Sequence, residues 1–485
     1  MERTRRPKPK IGYFGSGLAA YWPQFPKLYE SVQRTLQAHT ARLEEMGCTV
    51  VCGGLVDRAE RSAEVGDLFC REQVDLIVGE ILTYTASHVL VPIAQRNIAP
   101  YLTLALQMVP TVDYAQISTD DFTLIGAAMT APEVSCAFQR CGLPFHCIVG
   151  GEFQDRVWTE TREWIEAAAT RRALRDSRLG YLGHYYPGML DMYTDFTMHQ
   201  GQLGAHIEIL EMCDLADRIP PYGADRVTDA EIEHKVAEAQ AMFRMPPPGA
   251  DRVTAQVDPE DLRWAAQVAC AEDRLVADFG LDGLAYYYRG WDDNQYERIA
   301  AAMILGNSML TARGIPCAGE ADLKTCAAML IQDHFGAGGS FCELYLLDFE
   351  GGFVVAGHDG PGHLGICDQK PILRGMKLFH GKSGHGVSVE FNVKNGPVTM
   401  LGLTQTGEGR LKFVAAQGES IPGPILQIGN TNTRVRFGDM APDEFGQAWT
   451  ETGSTHHFAL GVGHQLGKIE KLAQILDLEL AVVCR

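Results

Sequence analysis

The chain has 485 residues, 46% of them hydrophobic and 21% charged, with a formal net charge of −19 at pH 7. That length exceeds one ordinary core and predicts two to four domains at roughly 100–200 residues each. The acidic balance excludes a dedicated nucleic-acid binder, which needs a basic footprint, and disfavours adhesion to an anionic membrane surface. The 13 cysteines are odd in number and contain no CxxC pair, so they read as reduced, mostly buried thiols rather than a disulfide framework. No stretch approaches the ~20 apolar residues of a bilayer span. The basic start, residues 1–10, runs straight into an apolar segment without the long apolar region of a signal peptide. A cytoplasmic location is expected.

In chain order, strand-like runs at 11–15, 49–53, 76–79, 101–104 and 145–149 alternate with helical patterns such as 25–46 and 155–170. Alternation of this kind predicts a parallel sheet with helices on both faces. A second such unit begins at 179–182 and continues through 207–210, a helix at 229–243 and a strand at 281–288. Pro246-Pro247-Pro248-Gly249 breaks the pattern, reads as a loop inside this unit, and helical patterning resumes at Asp258. A helical segment over 294–313 leads to Glu320. After Gly338, short β-prone runs separated by Gly, Pro and Asn dominate: 341–347, 353–356, 386–393, 398–403, 410–416 and 434–437. They predict an antiparallel sheet or barrel, closed by a helix at 464–476 and a strand at 479–483. The fold class expected is α/β: two doubly wound α/β domains followed by a mostly antiparallel β domain. The boundaries are 1–175 (Rossmann-like), 176–335 and 336–485.

Gly15-Ser16-Gly17 follows the first strand, but Ala20 stands where a dinucleotide fingerprint needs its third glycine, and Pro23 and Pro26 delay the helix. A tight turn explains the motif better than a phosphate cradle. The informative stretches lie later. Glu320 sits before an apolar helix, where a first-turn acid is also favoured by the helix dipole. Glu343 alternates with Phe341 and Tyr345, so it shares a strand face with aromatics and needs a partner if buried. His358 ends a strand at a Gly-Pro-rich turn, with His363 five residues on. His456-His457 opens an apolar run near the C-terminus. Each histidine alone also fits a structural role. Together, two carboxylates and two imidazoles form a mixed oxygen and nitrogen set suited to Mn²⁺ or a similar borderline ion, with room for substrate oxygens. The absence of cysteine from the set argues against structural zinc.

These residues resemble the L-arabinose isomerase and, more distantly, L-fucose isomerase superfamily. The family's Glu followed by Gly-Asp-x-Lys-Thr is matched by Glu320-Ala321-Asp322-Leu323-Lys324-Thr325. Its Glu after Gly-Gly-Thr-Ser-Phe-Met is matched by Glu343 after Gly338-Gly339-Ser340-Phe341-Cys342. The third ligand falls on His358 and the fourth, the second His of a His-His pair, on His457. The resemblance covers essentially the whole chain. It implies an aldose–ketose isomerase, with Glu320, Glu343, His358 and His457 holding Mn²⁺ and the two glutamates as the acid/base pair. It also implies a homo-oligomer, usually a hexamer, with a small-molecule sugar substrate and no nucleic-acid or membrane partner.

Two departures alter the expected substrate. The family's Gly-Ser-Gln reads Gly15-Ser16-Gly17 here, and its Thr-Ala-His-Gly reads Thr130-Ala131-Pro132-Glu133. The sugar expected is therefore one other than L-arabinose, or a modified sugar. Candidate substrate contacts are Gly17, His88, Gln139, Tyr185, Tyr186, Met189, Tyr288, Arg289 and His363. The stretch from Tyr286 to Trp291 offers stacking and a cation. Arg289, Lys382, Arg434 and Arg436 would serve an anionic sugar, or equally stand as solvated charges on turns. A sugar epimerase using the same chemistry, and a sugar-binding homologue without turnover, are the competing readings.

Overall fold

The computed structural model describes residues 8–220, 227–247, 249–250, 256–289, 294–376 and 385–485. Of the positions singled out above, residues 1–7, Pro248, Gly290, Trp291 and Lys382 lie outside them. The chain divides into two compact units, split between Arg172 and Ala173.

The first unit holds five strands: β1 (Lys10–Ser16), β2 (Thr49–Val56), β3 (Leu76–Ile81), β4 (Tyr101–Gln107) and β5 (His146–Gly151). They form one parallel sheet in the order β2-β1-β3-β4-β5. β1, β3 and β4 are almost continuously buried, as strands covered by helices on both faces must be. The covering helices include Pro26–Glu45, Ala59–Glu72 and Ala127–Arg140. This is the doubly wound arrangement expected, with the order reversing between β1 and β3. At Gly17 a Cβ would come within 2.7 Å of the Trp22 ring and 3.0 Å of Thr83 Oγ1. The glycine is needed for a close turn, and the next full helix waits until Pro26.

The second unit carries two sheets. A parallel one, in the order β7-β6-β8-β9, comprises β6 (Arg178–Gly183), β7 (His206–Leu210), β8 (Gly283–Tyr287) and β9 (Cys317–Ala318). The 294–313 segment expected as one helix is two, Gln295–Ala301 and Ile304–Ala312. The apolar periodicity runs through the break. Gly306 lies so close to the helix Pro259–Phe279 that a Cβ there would meet Ala269 Cα at 2.8 Å.

The remaining strands are β10 (Ser340–Asp348), β11 (Phe353–His358), β12 (Ile372–Gly375), β13 (Val387–Glu390), β14 (Gly396–Gln405), β15 (Leu411–Ile421), β16 (Thr431–Arg436), β17 (His457–Val462) and β18 (Glu479–Cys484). Six of them run antiparallel in the order β14-β17-β10-β11-β16-β15, and a further β14–β15 ladder closes the ring into a barrel. Closure removes the free sheet edges. β18 joins β15 in parallel, while β12 and β13 form a separate hairpin. Between the parallel sheet and the barrel lies the helix Leu323–His334, buried at every position through Asp333 and packed against β8, β14 and β17. A helix buried on all sides is a core helix, and the Asp322 side chain that caps its N-terminus meets His457 of β17.

All 13 cysteines are free, but only Cys48, Cys270, Cys317, Cys326 and Cys342 are buried. The expectation of mostly buried thiols fails because Cys52, Cys70, Cys136 and Cys213 occupy solvent-facing positions of strands and helices, and Cys141 of a turn. Among the described residues, no helix is long and apolar enough to cross a membrane.

Candidate metal centre

Strand register does most of the assembly. On β10, Glu343 lies opposite His457 of β17 on one side and Gly357 of β11 on the other, so His358 follows within one residue. The Phe341 ring fills the floor beneath both imidazoles, with centroids 4.5 Å from His358 and 4.3 Å from His457. The two Nε2 atoms come to 3.2 Å.

Glu320 reaches the same point from the chain entering the buried helix. It and Ala321 both adopt left-handed backbone, each at φ 58°. Left-handed geometry costs roughly 1–2 kcal/mol for an L residue, and such strain gathers at functional sites. The matching family motif carries glycine at the second position. Asp322 then caps the helix, accepting from Thr325 N at 3.0 Å and from Thr325 Oγ1 at 2.7 Å. The turn aims Glu320 Oε2 to 3.6 Å from His457 Nε2. That oxygen is buried and has no hydrogen-bond partner in the protein.

The donor atoms form two overlapping sets. Glu320, His358 and His457 offer atoms all within 4.8 Å of one another, as do Glu343, His456 and His457. A divalent cation needs such convergence, and a buried carboxylate oxygen without a partner needs something to bind it. The residues present therefore fit an ion of the Mn²⁺ kind.

Supporting groups fix the imidazoles. Asp322, fully buried, accepts from His457 Nδ1 at 3.0 Å, which leaves the Nε2 lone pair facing the site. Around His358 Nδ1, the Gly360 N–H donates at 3.0 Å and the Asp359 carboxylate lies 3.4 Å away. His456 pairs with Asp191 at 2.6 Å and approaches Glu320 at 3.8 Å.

The charges follow from these contacts. Burial disfavours the His456 cation, but Asp191 and Glu320 more than offset it and push its pKa up to about 10. The hydrogen bond from His456 in turn holds Asp191 down at about 2. Burial raises Glu320, yet His456 and the neighbouring imidazoles leave it below the ordinary glutamate value. Glu343, where burial dominates, lies above it.

A cavity of about 810 Å³ opens over the centre, and its wall includes Glu320, Glu343, His358, Asp359 and His456. Of the substrate contacts expected from sequence, Tyr186, Met189, Tyr288 and Arg289 line it. Tyr185 does not: its hydroxyl is taken by the backbone of Thr194, and its ring packs on Tyr181 and Tyr193. His363 caps a turn by accepting from Gly365 N and sits 3.7 Å from Asp333. Gly17, His88 and Gln139 belong to the other unit. Gly17 lies at the carboxyl end of its sheet, His88 is exposed in the turn Ser87–Val89, and Gln139 is exposed near the end of the helix Ala127–Arg140. There Glu133, which with Pro132 stands where the family motif has histidine-glycine, accepts from Ser87 N at 2.8 Å and from the Tyr84 hydroxyl at 3.1 Å. Arg434 donates to Pro424 O and Arg436 to Gly351 O and Gly352 O, so both clamp turns.

Sequence reasoning passed over Asp191, Asp322 and Asp359 as site residues and left His456 open. Asp322 had a legible signal, a capping pattern with Thr325 three residues on; Asp191 had none.

A sequence model of the L-arabinose isomerase C-terminal domain matches residues 338–479, the barrel and its final helix. Over more of the chain, an L-arabinose isomerase from Nocardioides sp. is 24% identical across 397 residues, covering 79% of this chain and 75% of that one. Its counterpart from Salmonella typhimurium is 22% identical, covering 70% and 67%. The chain is thus similar to L-arabinose isomerases, at distant identity. Among solved structures, a periplasmic solute-binding protein from Actinobacillus succinogenes with bound D-allose aligns at 13% identity, covering 64% of this chain and 78% of that one. Its TM-score is 0.17.

Proposed function

We propose that the protein is a metal-dependent aldose–ketose isomerase acting on a sugar or modified sugar other than L-arabinose. Glu320, Glu343, His358 and His457 would hold the ion, most suitably Mn²⁺. The observation that carries this reading is the convergence of Glu320, His358 and His457 around a buried Glu320 oxygen that nothing in the protein satisfies, with Glu343 in an overlapping set through His457. Its similarity to L-arabinose isomerases supports the sugar-isomerase class.

The reaction moves a proton from C2 of an aldose to C1 and transfers another between the two oxygens. A bound divalent ion supplies polarisation of those oxygens, which acidifies the C2 proton. Glu343 faces the cavity beside His456 and His457, and its carboxylate takes the proton from one carbon and returns it to the other. Glu320 lies within reach of the oxygen-borne proton. His456, fixed by Asp191, keeps positive charge next to both carboxylates. The Phe341 ring and the buried helix keep water from the floor of the site, where electrostatic stabilisation is worth most.

The test is solvent exchange followed by NMR in D₂O with Mn²⁺, across neutral and acidic aldoses and ketoses. Deuterium at C2 together with the partner ketose or aldose supports the isomerase. A C2 epimer would favour the epimerase instead. Stoichiometric bound metal with no exchange in any sugar would move the assignment to a binding protein.

A further inference from the structure

A buried charge at the start of the core helix takes no part in the chemistry described above. Lys324 is the second residue of the helix Leu323–His334 and is 0% exposed. An ammonium so placed is doubly disfavoured. It opposes the positive end of the helix dipole, and taking it out of water costs free energy that a methionine of similar bulk would avoid. Packing and helix propensity therefore do not account for it.

Its contacts do. The Nζ donates to Met192 O at 3.0 Å and to Tyr193 O at 3.4 Å. These carbonyls end the short turn Leu190–Met192, which carries Asp191. Leu190 is 73% exposed, and the buried Met192 side chain supplies only an apolar contact, which has no direction of its own. The Tyr185 hydroxyl engages the chain beyond the turn, at Thr194. The hydrogen bonds from Lys324 fix which way the turn faces.

Asp191 in turn accepts from His456 twice, from the backbone N at 3.1 Å and from the ring Nδ1 at 2.6 Å. With Nδ1 so held, Nε2 of the same ring faces Glu320 Oε2 at 3.8 Å. Two residues before Lys324, Asp322 accepts from Nδ1 of His457. The two adjacent imidazoles, with centroids 3.8 Å apart, are thus both set from residues 322–324: His457 directly, His456 through the turn. All of these residues lie in one compact unit, so the arrangement needs nothing from another chain.

Resting on the isomerase reading of the same site, we propose that Lys324 is a positioning residue for proton transfer. It grips the Met192 and Tyr193 carbonyls, seats the turn, and so aligns the His456 ring between Asp191 and Glu320. The competing role is a counter-charge for Asp322 alone.

The test is Lys324→Met, read by NMR in full-length protein with isotope-labelled histidine, kept metal-free because Mn²⁺ is paramagnetic. A hydrogen-bonded Nδ1–H is shielded from solvent exchange. It gives one signal for His456, identified by its loss in Asp191→Ala, and one for His457, identified by its loss in Asp322→Asn. In Lys324→Met the His456 signal is expected to disappear, while the His457 signal and the affinity for Mn²⁺ persist. Lys324→Gln, one bond too short to reach the carbonyls but still polar, is expected to behave alike and serves if the methionine variant does not fold. Exchange at C2, in any sugar of the panel above that the wild-type protein exchanges, is expected to slow by up to about a hundredfold, as for a misplacement of about 1 Å. The rate should match that of Asp191→Ala, and combining the two substitutions should slow it no further. Retention of the His456 signal in a folded variant overturns the proposal. So does loss of the His457 signal and of Mn²⁺ affinity with His456 intact, which would make Lys324 a counter-charge only. The isomerase reading fails separately, if the wild-type protein exchanges no sugar of the panel; the two histidine signals then still decide the role of Lys324.

Discussion

Replacing Asp322 by Asn tests the centre through a residue that would touch no ion. Its two oxygens accept three hydrogen bonds: from Thr325 N at 3.0 Å, Thr325 Oγ1 at 2.7 Å and His457 Nδ1 at 3.0 Å. Asparagine caps a helix as well as aspartate, so its carbonyl keeps the Thr325 N bond. Its NH₂ then falls where the other oxygen was and can only donate. Toward His457 that forces Nδ1 to accept and moves the ring proton to Nε2, the nitrogen facing Glu320 and His358. A protonated Nε2 has no lone pair to give. Restoring the binding tautomer sacrifices a charge-assisted hydrogen bond of about 1.5–3 kcal/mol. That corresponds to about a 10–100-fold loss of Mn²⁺ affinity, the range usual for groups that orient metal-bound histidines. The assay is calorimetric or EPR titration of Mn²⁺ into the metal-free protein. Thr325→Val is the control: it removes one hydrogen bond to Asp322, costs about 1 kcal/mol of stability, and leaves the Asp322–His457 contact and the affinity intact. Undiminished Mn²⁺ affinity in a folded Asp322→Asn protein would refute the proposed orientation of His457.

Glu343→Gln is expected to lower turnover by roughly 10²–10⁴-fold, the contribution of a positioned acid/base group, with little change in melting temperature because the side chain is only half-buried; steady-state kinetics and thermal melts decide it. Removing metal with EDTA lowers the melting temperature, and restoring Mn²⁺ at about 100 times its Kd returns about 2.7 kcal/mol; a transition indifferent to metal would contradict the centre. Arg374→Met should cost about 3–5 kcal/mol in urea unfolding, because Arg374 and Glu390 form a buried two-bond ion pair at 2.8 and 2.9 Å across β12 and β13. Glu272 is fully buried, both its carboxylate oxygens lack a hydrogen-bond partner, and burial raises its pKa well above the ordinary glutamate value. Its contribution to stability is complete below the unfolded-state pKa and is lost as pH rises toward the folded-state value, by at most about 1.4 kcal/mol per pH unit. Glu272→Gln should flatten that part of the stability profile, measured by denaturant unfolding from pH 4 upward.

The sequence by itself determined the local facts. Burial on both sheet faces makes β1, β3 and β4 continuous apolar runs, so the alternation of strand and helix could be read directly. Gly-rich spacing after Gly338 announced the β region. Glu320, Glu343, His358 and His457 were legible because each stands in a short motif whose neighbours also match a known pattern. The departures at Gly17 and at Pro132-Glu133 were equally plain.

Tertiary structure decided everything that depends on long-range register. Barrel closure rests on the β14–β15 ladder added to five others, and no single strand's pattern specifies its second neighbour. The register that sets Glu343 opposite His457 joins residues more than a hundred positions apart. The pairing of His456 with Asp191 spans 265 residues. Asp191 lies in the short turn Leu190–Met192 between apolar neighbours, so no periodicity or motif could single it out. The break between the helices Gln295–Ala301 and Ile304–Ala312 was likewise invisible, because the apolar pattern runs through it. Local propensity acts over a turn or a strand, whereas the pairing of strands and the shape of the cavity are set by which buried faces fit together.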